Sequence, residues 1–96
     1  MKIVKTKIKG LLIIKQKKNI DRRGNLREIF NRKILKKDNF VFEYCTTSKA
    51  NALRGFHFQY NFQQAKFVNV LKGKILDCVI DLRRNSRTFG KSFKII

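Results

Sequence analysis

The amino-acid sequence predicts one all-β domain, a sandwich or barrel of short strands. Two observations carry that reading. Apolar or alternating runs recur along the 96 residues, separated by turn-forming residues at intervals suited to brief strands. No internal repeat, low-complexity tract or linker divides the chain, and a polypeptide of this size supports a single modest core that buries roughly two-thirds of its unfolded surface.

Taken in order, Lys9 to Lys15 holds the first apolar run, and Asp21-Arg22-Arg23-Gly24 reads as a turn. Asn25 to Phe30 is expected to be extended, with a brief helical stretch around Arg32 to Lys37. Phe40 to Thr46 alternates, with Phe40, Phe42 and Tyr44 on one face and Val41, Glu43 and Cys45 on the other. After the polar loop Thr47 to Asn51, Leu53 to Gln59 is the next expected strand. Ala65 to Leu71 and Ile75 to Leu82 are expected to form a hairpin turning at Lys72-Gly73-Lys74. A loop at Arg83 to Thr88 leads to a final strand, Phe89 to Ile96. That run stops on two apolar residues without a turn or polar tail, so the expectation is a fold incomplete at its C-terminus.

Composition narrows the function classes. Apolar residues make up 43% of the chain, which suits a globular domain. The longest apolar run, Leu11 to Ile14, is far too short to span a bilayer, and Met1 to Lys5 has no signal-peptide pattern. No membrane role and a cytoplasmic location are therefore expected. Cys45 and Cys78 lack metal-ligand spacing and read as reduced, structural thiols. The net charge of +18 would attract nucleic acid, anionic lipid or a phosphorylated metabolite. However, its Lys and Arg are scattered along the chain. Enrichment in Lys, Asn, Ile and Phe without Pro or Trp is also the bias of an AT-rich genome. Nucleic-acid binding is accordingly the lesser reading.

His57 is the sole histidine. Such a group is a natural general base near neutral pH, although a lone histidine more often just satisfies one hydrogen bond. In strict alternation Leu53, Gly55, His57 and Gln59 share a face opposite Arg54, Phe56 and Phe58. Gly55 leaves room beside the imidazole for a ligand or a close backbone approach. Gln64 and Lys66 precede the apolar run Phe67 to Val70, and Asp77 and Asp81 fall on one face with Ile75 and Val79. Carboxylates on an apolar face need partners, and Lys66 is a candidate partner for Asp77. A base, a cation and a paired carboxylate suit proton abstraction beside a carbonyl.

Four blocks resemble the dTDP-4-dehydrorhamnose 3,5-epimerase family in the family's order. These are Asp21-Arg22-Arg23-Gly24 with Glu28, Leu53-Arg54-Gly55-Phe56-His57-Phe58-Gln59, Gln64-Ala65-Lys66, and Asp77 through Gly90. The resemblance implies a cupin-type β jelly roll, with residues 1–96 as the N-terminal part of a single domain, and a homodimer. It implies proton removal next to the 4-keto group of a 4-keto-6-deoxy nucleotide sugar, as in deoxysugar and polysaccharide biosynthesis, without metal or cofactor. His57 corresponds to the base and Lys66 to the enolate-stabilising cation. Arg54 would hold the diphosphate, while Arg23 and Glu28 fall on nucleotide- or substrate-contacting positions. Gln64 and Asp77 are supporting residues.

The chain also departs from the pattern. Phe42-Glu43-Tyr44 stands where the family commonly has Gln-x-Asn against the nucleotide, so Phe42 and Tyr44 would stack on the base instead. The His57-to-Lys66 interval is one residue short. For Arg54 and His57 to share a pocket, a bulge or twist is needed, expected at Gly55. The family's tyrosine acid, second histidine and histidine-orienting aspartate belong to its later half. A non-catalytic remnant that binds a nucleotide sugar or a partner chain is therefore the alternative to an epimerase.

Overall fold

The computed structural model describes residues 1–96 as six four-residue strands and no helix. The strands are β1 (Lys2–Lys5), β2 (Leu12–Lys15), β3 (Lys18–Asp21), β4 (Gly24–Arg27), β5 (Asp77–Ile80) and β6 (Ser92–Ile95). They pair antiparallel as three separate two-stranded sheets, β1–β2, β3–β4 and β5–β6. The all-β expectation holds at this level.

Each hairpin has a local cause. In β1–β2 the apolar pairs Ile3–Ile14 and Val4–Ile13 face each other across the ladder, which is the stabilising unit of a sheet. The Thr6 hydroxyl lies 2.9 Å from the Leu11 carbonyl and 3.1 Å from that of Ile8, and closes the connecting loop. In β3–β4 a two-residue connection, Arg22-Arg23, joins the Asp21–Gly24 pair. The Asp21 carboxylate accepts the Arg23 backbone N–H at 2.8 Å, and Gly24 has φ +140, a region favouring glycine. The turn expected at Asp21 to Gly24 is present. β3 and β1 were not expected from the sequence: Lys18–Asp21 and Lys2–Lys5 are too polar to stand out by periodicity.

The third hairpin is the best braced. Val79 pairs with Phe93 and Cys78 with Lys94, and the loop between the strands is gathered by one carboxylate. Asp81, 4% exposed, accepts the Arg83 backbone N–H at 3.0 Å and the Arg83 guanidinium at 2.9 Å through both Nε and Nη2. Ser86 Oγ and Thr88 Oγ1 donate to it at 2.5 and 2.6 Å. The Gly90 N–H closes on the Asp81 carbonyl at 2.7 Å. Ile8 is the one buried apolar side chain. The residues around it, Lys9 to Leu11, line a cleft of about 350 Å³ with Val79 to Arg83, so hairpins one and three meet there.

The stretch between β4 and β5 departs from expectation. Phe40 to Thr46, Leu53 to Gln59 and Ala65 to Leu71 form no ladder, and β5 pairs with β6 rather than with residues 65–71. The chain does bend at Leu71 to Gly73, with Gly73 at φ +86, but residues 65–71 and 75–82 do not pair across it. Residues 32–37 make turns through Ile34 and Leu35 N–H to the Asn31 carbonyl, not a helix. The connections between the expected strands are no longer than those of the hairpins that do form, but the apolar side chains of this stretch lie mostly exposed, with no second sheet to pack on. What ordering exists here comes from side chains. Phe30, Phe40 and Phe67 cluster with ring centroids 5.9–6.1 Å apart. Arg27 Nη2 donates to the Val70 and Leu71 carbonyls at 3.0 and 3.2 Å.

Candidate functional site

The residues expected to do chemistry fall on hairpin two and on the strandless stretch. His57 and Lys66 are both exposed, and neither side chain takes part in a hydrogen bond or ion pair within the chain. Gly55 has φ +98, and a Cβ there would lie 3.3 Å from the His57 backbone nitrogen and 3.7 Å from its Nδ1. Gly55 thus takes a backbone conformation that favours glycine, but no strand forms over residues 53–59 in which the expected bulge could sit. The Gly55–Phe56 peptide is cis.

Arg54 folds back on the preceding loop. Its Nε donates to Ser48 Oγ at 2.9 Å and its Nη2 to the Thr47 carbonyl at 3.3 Å. That leaves a planar cation fixed three residues before the imidazole, a geometry suited to phosphate oxygens. Phe42 and Tyr44 stack with centroids 6.2 Å apart and planes at 22°. They remain 65% and 76% exposed, so their outer faces are open to a flat partner. Gln64 is exposed, without a hydrogen bond from its side chain.

Arg23 and Glu28 stand apart from that group. Arg23 is held by Asp21 at 2.7 Å in an exposed ion pair, which holds the Asp21 carboxyl below its ordinary range. Glu28 Oε1 accepts the Asn31 amide at 2.8 Å. An open cleft of about 530 Å³ follows the hairpin from Asn19 to Leu26 and includes Arg23. Within one chain, then, Phe42 and Tyr44 are in contact, while Arg23 pairs with Asp21 and Glu28 with Asn31 and not with His57 or Lys66.

The Lys66–Asp77 pair does not form: the ion pairs are Arg23–Asp21 and Arg83–Asp81. Asp77 is half-buried on β5 opposite Ile95. The carboxylate that is strongly engaged is Asp81. The Arg83 guanidinium, then the Ser86 and Thr88 hydroxyls, hold its carboxyl far below the usual range, and Asp81 in turn raises Arg83. The signal for this brace was present in the order Asp81, Arg83, Ser86, Thr88, since short hydroxyl side chains beside an aspartate favour closed loops. Arg27 was missed altogether, because nothing in the sequence marks a side chain whose partners are carbonyls 43 and 44 residues away. No three His, Cys, Asp or Glu side chains converge as metal ligands would, and no helix is long and apolar enough to cross a membrane.

Comparison with known proteins gives a consistent result. A family model described as dTDP-4-dehydrorhamnose 3,5-epimerase matches residues 5–96. A protein of that name from Methanothermobacter thermautotrophicus is 37% identical over 94 residues, which cover 94% of this chain and 51% of the relative. Its counterpart from Shigella flexneri is 36% identical over 97 residues, covering 95% and 54%. That of Salmonella typhimurium is 37% identical over 97 residues, covering 95% and 53%. The chain spans about half the length of these curated relatives. No solved structure matches it.

Proposed function

This chain belongs to the dTDP-4-dehydrorhamnose 3,5-epimerase family, and we propose from that premise that it provides the base-bearing half of a nucleotide-sugar epimerase. The substrate is a 4-keto-6-deoxy sugar on a nucleoside diphosphate. His57 removes the proton from a carbon next to the 4-keto group, and the electron pair moves into an enolate whose oxygen the Lys66 ammonium stabilises. Reprotonation from the opposite face inverts the centre, using an acid that comes from outside residues 1–96. Arg54 engages the diphosphate, and Phe42 with Tyr44 stacks on the base. The fold of the completed enzyme is a cupin-type jelly roll that works in the cytoplasm as a homodimer, with Arg23 in the turn of hairpin two and Glu28 just after that hairpin reaching the site from the second copy.

The observation that supports this most directly is the sequence block Leu53 to Gln59 around His57. The sole histidine lies inside the matched region, two residues after a glycine at φ +98 whose Cβ, if present, would lie 3.3 Å from the His57 nitrogen. The test is proton–deuterium exchange at sugar carbons 3 and 5 by the assembled enzyme. The reading requires exchange that disappears in His57→Gln; exchange that persists in that variant rejects it.

A second reading, a non-catalytic remnant that binds a nucleotide sugar, draws support from the exposure of both His57 and Lys66. It predicts binding of the nucleotide sugar with no exchange even when the complementary half is supplied.

A further inference from the structure

Between Val41 and Leu76 every residue is exposed except Phe67, Asn69 and Val70. That short segment begins immediately after Lys66, whose own side chain stands exposed. Its anchors both lead back to the end of hairpin two. Arg27, half-buried, is the last residue of β4 and is held in the ladder opposite Lys18. Its Nη2 donates to the Val70 carbonyl at 3.0 Å and to the Leu71 carbonyl at 3.2 Å. The Phe67 ring packs on Phe30, three residues after Arg27, with centroids 6.1 Å apart and planes tilted by 59°. The segment is thus pinned at its first residue and again at Val70 and Leu71.

The two anchors differ in what they fix. An aromatic contact holds over a range of centroid distances and tilts. Hydrogen bonds to two successive carbonyls constrain both distance and direction, and a charged donor makes them stronger than neutral ones. No ladder supplies that constraint, because residues 65–71 belong to no strand. The Arg27 bonds are in fact the only hydrogen bonds that residues 55–76 make. The place of the Lys66 segment against hairpin two therefore rests, for its polar contacts, on one side chain.

We propose that Arg27 is a positioning residue for Lys66. By holding the Val70 and Leu71 carbonyls, it sets where the Lys66 ammonium stands as the enolate forms. This inference rests on the enolate-stabilising role given to Lys66 above, and Arg27 acts through that residue and not on the sugar. Charge develops on the enolate oxygen only as the proton leaves, so a misplaced ammonium costs the transition state and spares binding. A displacement of about 1 Å suffices for a loss of about a hundredfold.

The test follows deuterium exchange at sugar carbons 3 and 5 in the enzyme assembled from this full chain, with a dTDP-linked 4-keto-6-deoxy sugar as substrate. Arg27→Met keeps an unbranched stem and removes the donors. It should lower kcat by about 10- to 100-fold and leave KM within about twofold. Arg27→Lys keeps a donor without the planar fork and should lose less, which also provides a variant where Arg27→Met does not fold. The decisive comparison is made in Lys66→Ala. There either Arg27 substitution should change kcat by less than about twofold, because no ammonium is left to place. A tie that served only to stabilise the fold would act equally in both backgrounds. Losses that multiply across the two sites, an unchanged kcat in both Arg27 variants, or a rise in KM in place of the fall in kcat overturn the proposal. Full exchange in Lys66→Ala, or none with every residue intact, overturns the catalytic reading itself and this inference with it.

Discussion

The β5–β6 hairpin and the stretch from Asn39 to Leu76 are neighbours in sequence and opposites in structure. The hairpin closes over a loop whose polar groups converge on Asp81, so every partner it needs lies within residues 77–95. The central stretch has more aromatic mass and stronger alternation, yet it forms no ladder. Local hydrogen bonding can complete a ribbon, but alternation only prepares a face, and something else must cover it. The candidate base His57 lies in the unfinished region. Chemistry and self-sufficient folding are thus separated along this chain.

Several substitutions probe that separation, and the largest effect is expected in the unfinished region. In the assembled enzyme, His57→Gln should lower the rate of exchange at the sugar carbons by about 10²- to 10⁴-fold, with nucleotide-sugar binding retained. Lost binding together with lost exchange would recast His57 as a structural group.

Asp81→Asn is expected to be the most damaging change among the hairpins. It removes the charge and turns one of the two acceptor oxygens shared by Arg83, Ser86 and Thr88 into an NH2 donor, so the amides of Gly90 and Lys91 should exchange at least about tenfold faster. Acid should do the same. The Asp81 carboxyl titrates below its ordinary value of about 3.9, so its contribution is complete above about pH 5 and fades as the pH falls below about 4. A β5–β6 hairpin equally protected at pH 3 and pH 6 would contradict the brace.

Smaller effects should follow in the aromatic cluster and at Gly55. Phe67→Ala removes a half-buried ring from contact with Phe30 and Phe40 and should cost about 1–2 kcal/mol in denaturation of the assembled protein. Gly55→Ala forces a side chain into φ +98 with a 3.3 Å contact to the His57 nitrogen. It should cost about 1 kcal/mol and lower exchange activity more than stability, because the imidazole is displaced. An unchanged exchange rate would show that Gly55 does not set the place of His57.

The sequence made some of this legible and hid the rest for definable reasons. The turn at Asp21 to Gly24, the loop after Asp81 and the extended run before Ile96 follow from local chemistry, and they stand where expected. The blocks around His57 and Lys66 were legible as motifs, and the family match includes them. Their mutual geometry was not legible, because Lys66 was expected beside Asp77 and Asp77 instead sits on β5 without an ion pair. Pairing partners for Phe40–Thr46 and Leu53–Gln59 were assumed to lie nearby, whereas alternation specifies a buried face and not its neighbour. β1 and β3 were missed because four-residue strands holding at most two apolar residues carry little periodic signal.

Hydrogen exchange on the unassembled chain tests this division most directly. The account predicts slow exchange at Asp81 and Gly90, whose N–H groups are bonded within the β5–β6 hairpin, and near-unprotected exchange through Phe40–Thr46 and Leu53–Gln59. Uniform protection across both regions would contradict it, because the segment holding His57 would then complete its fold without a partner.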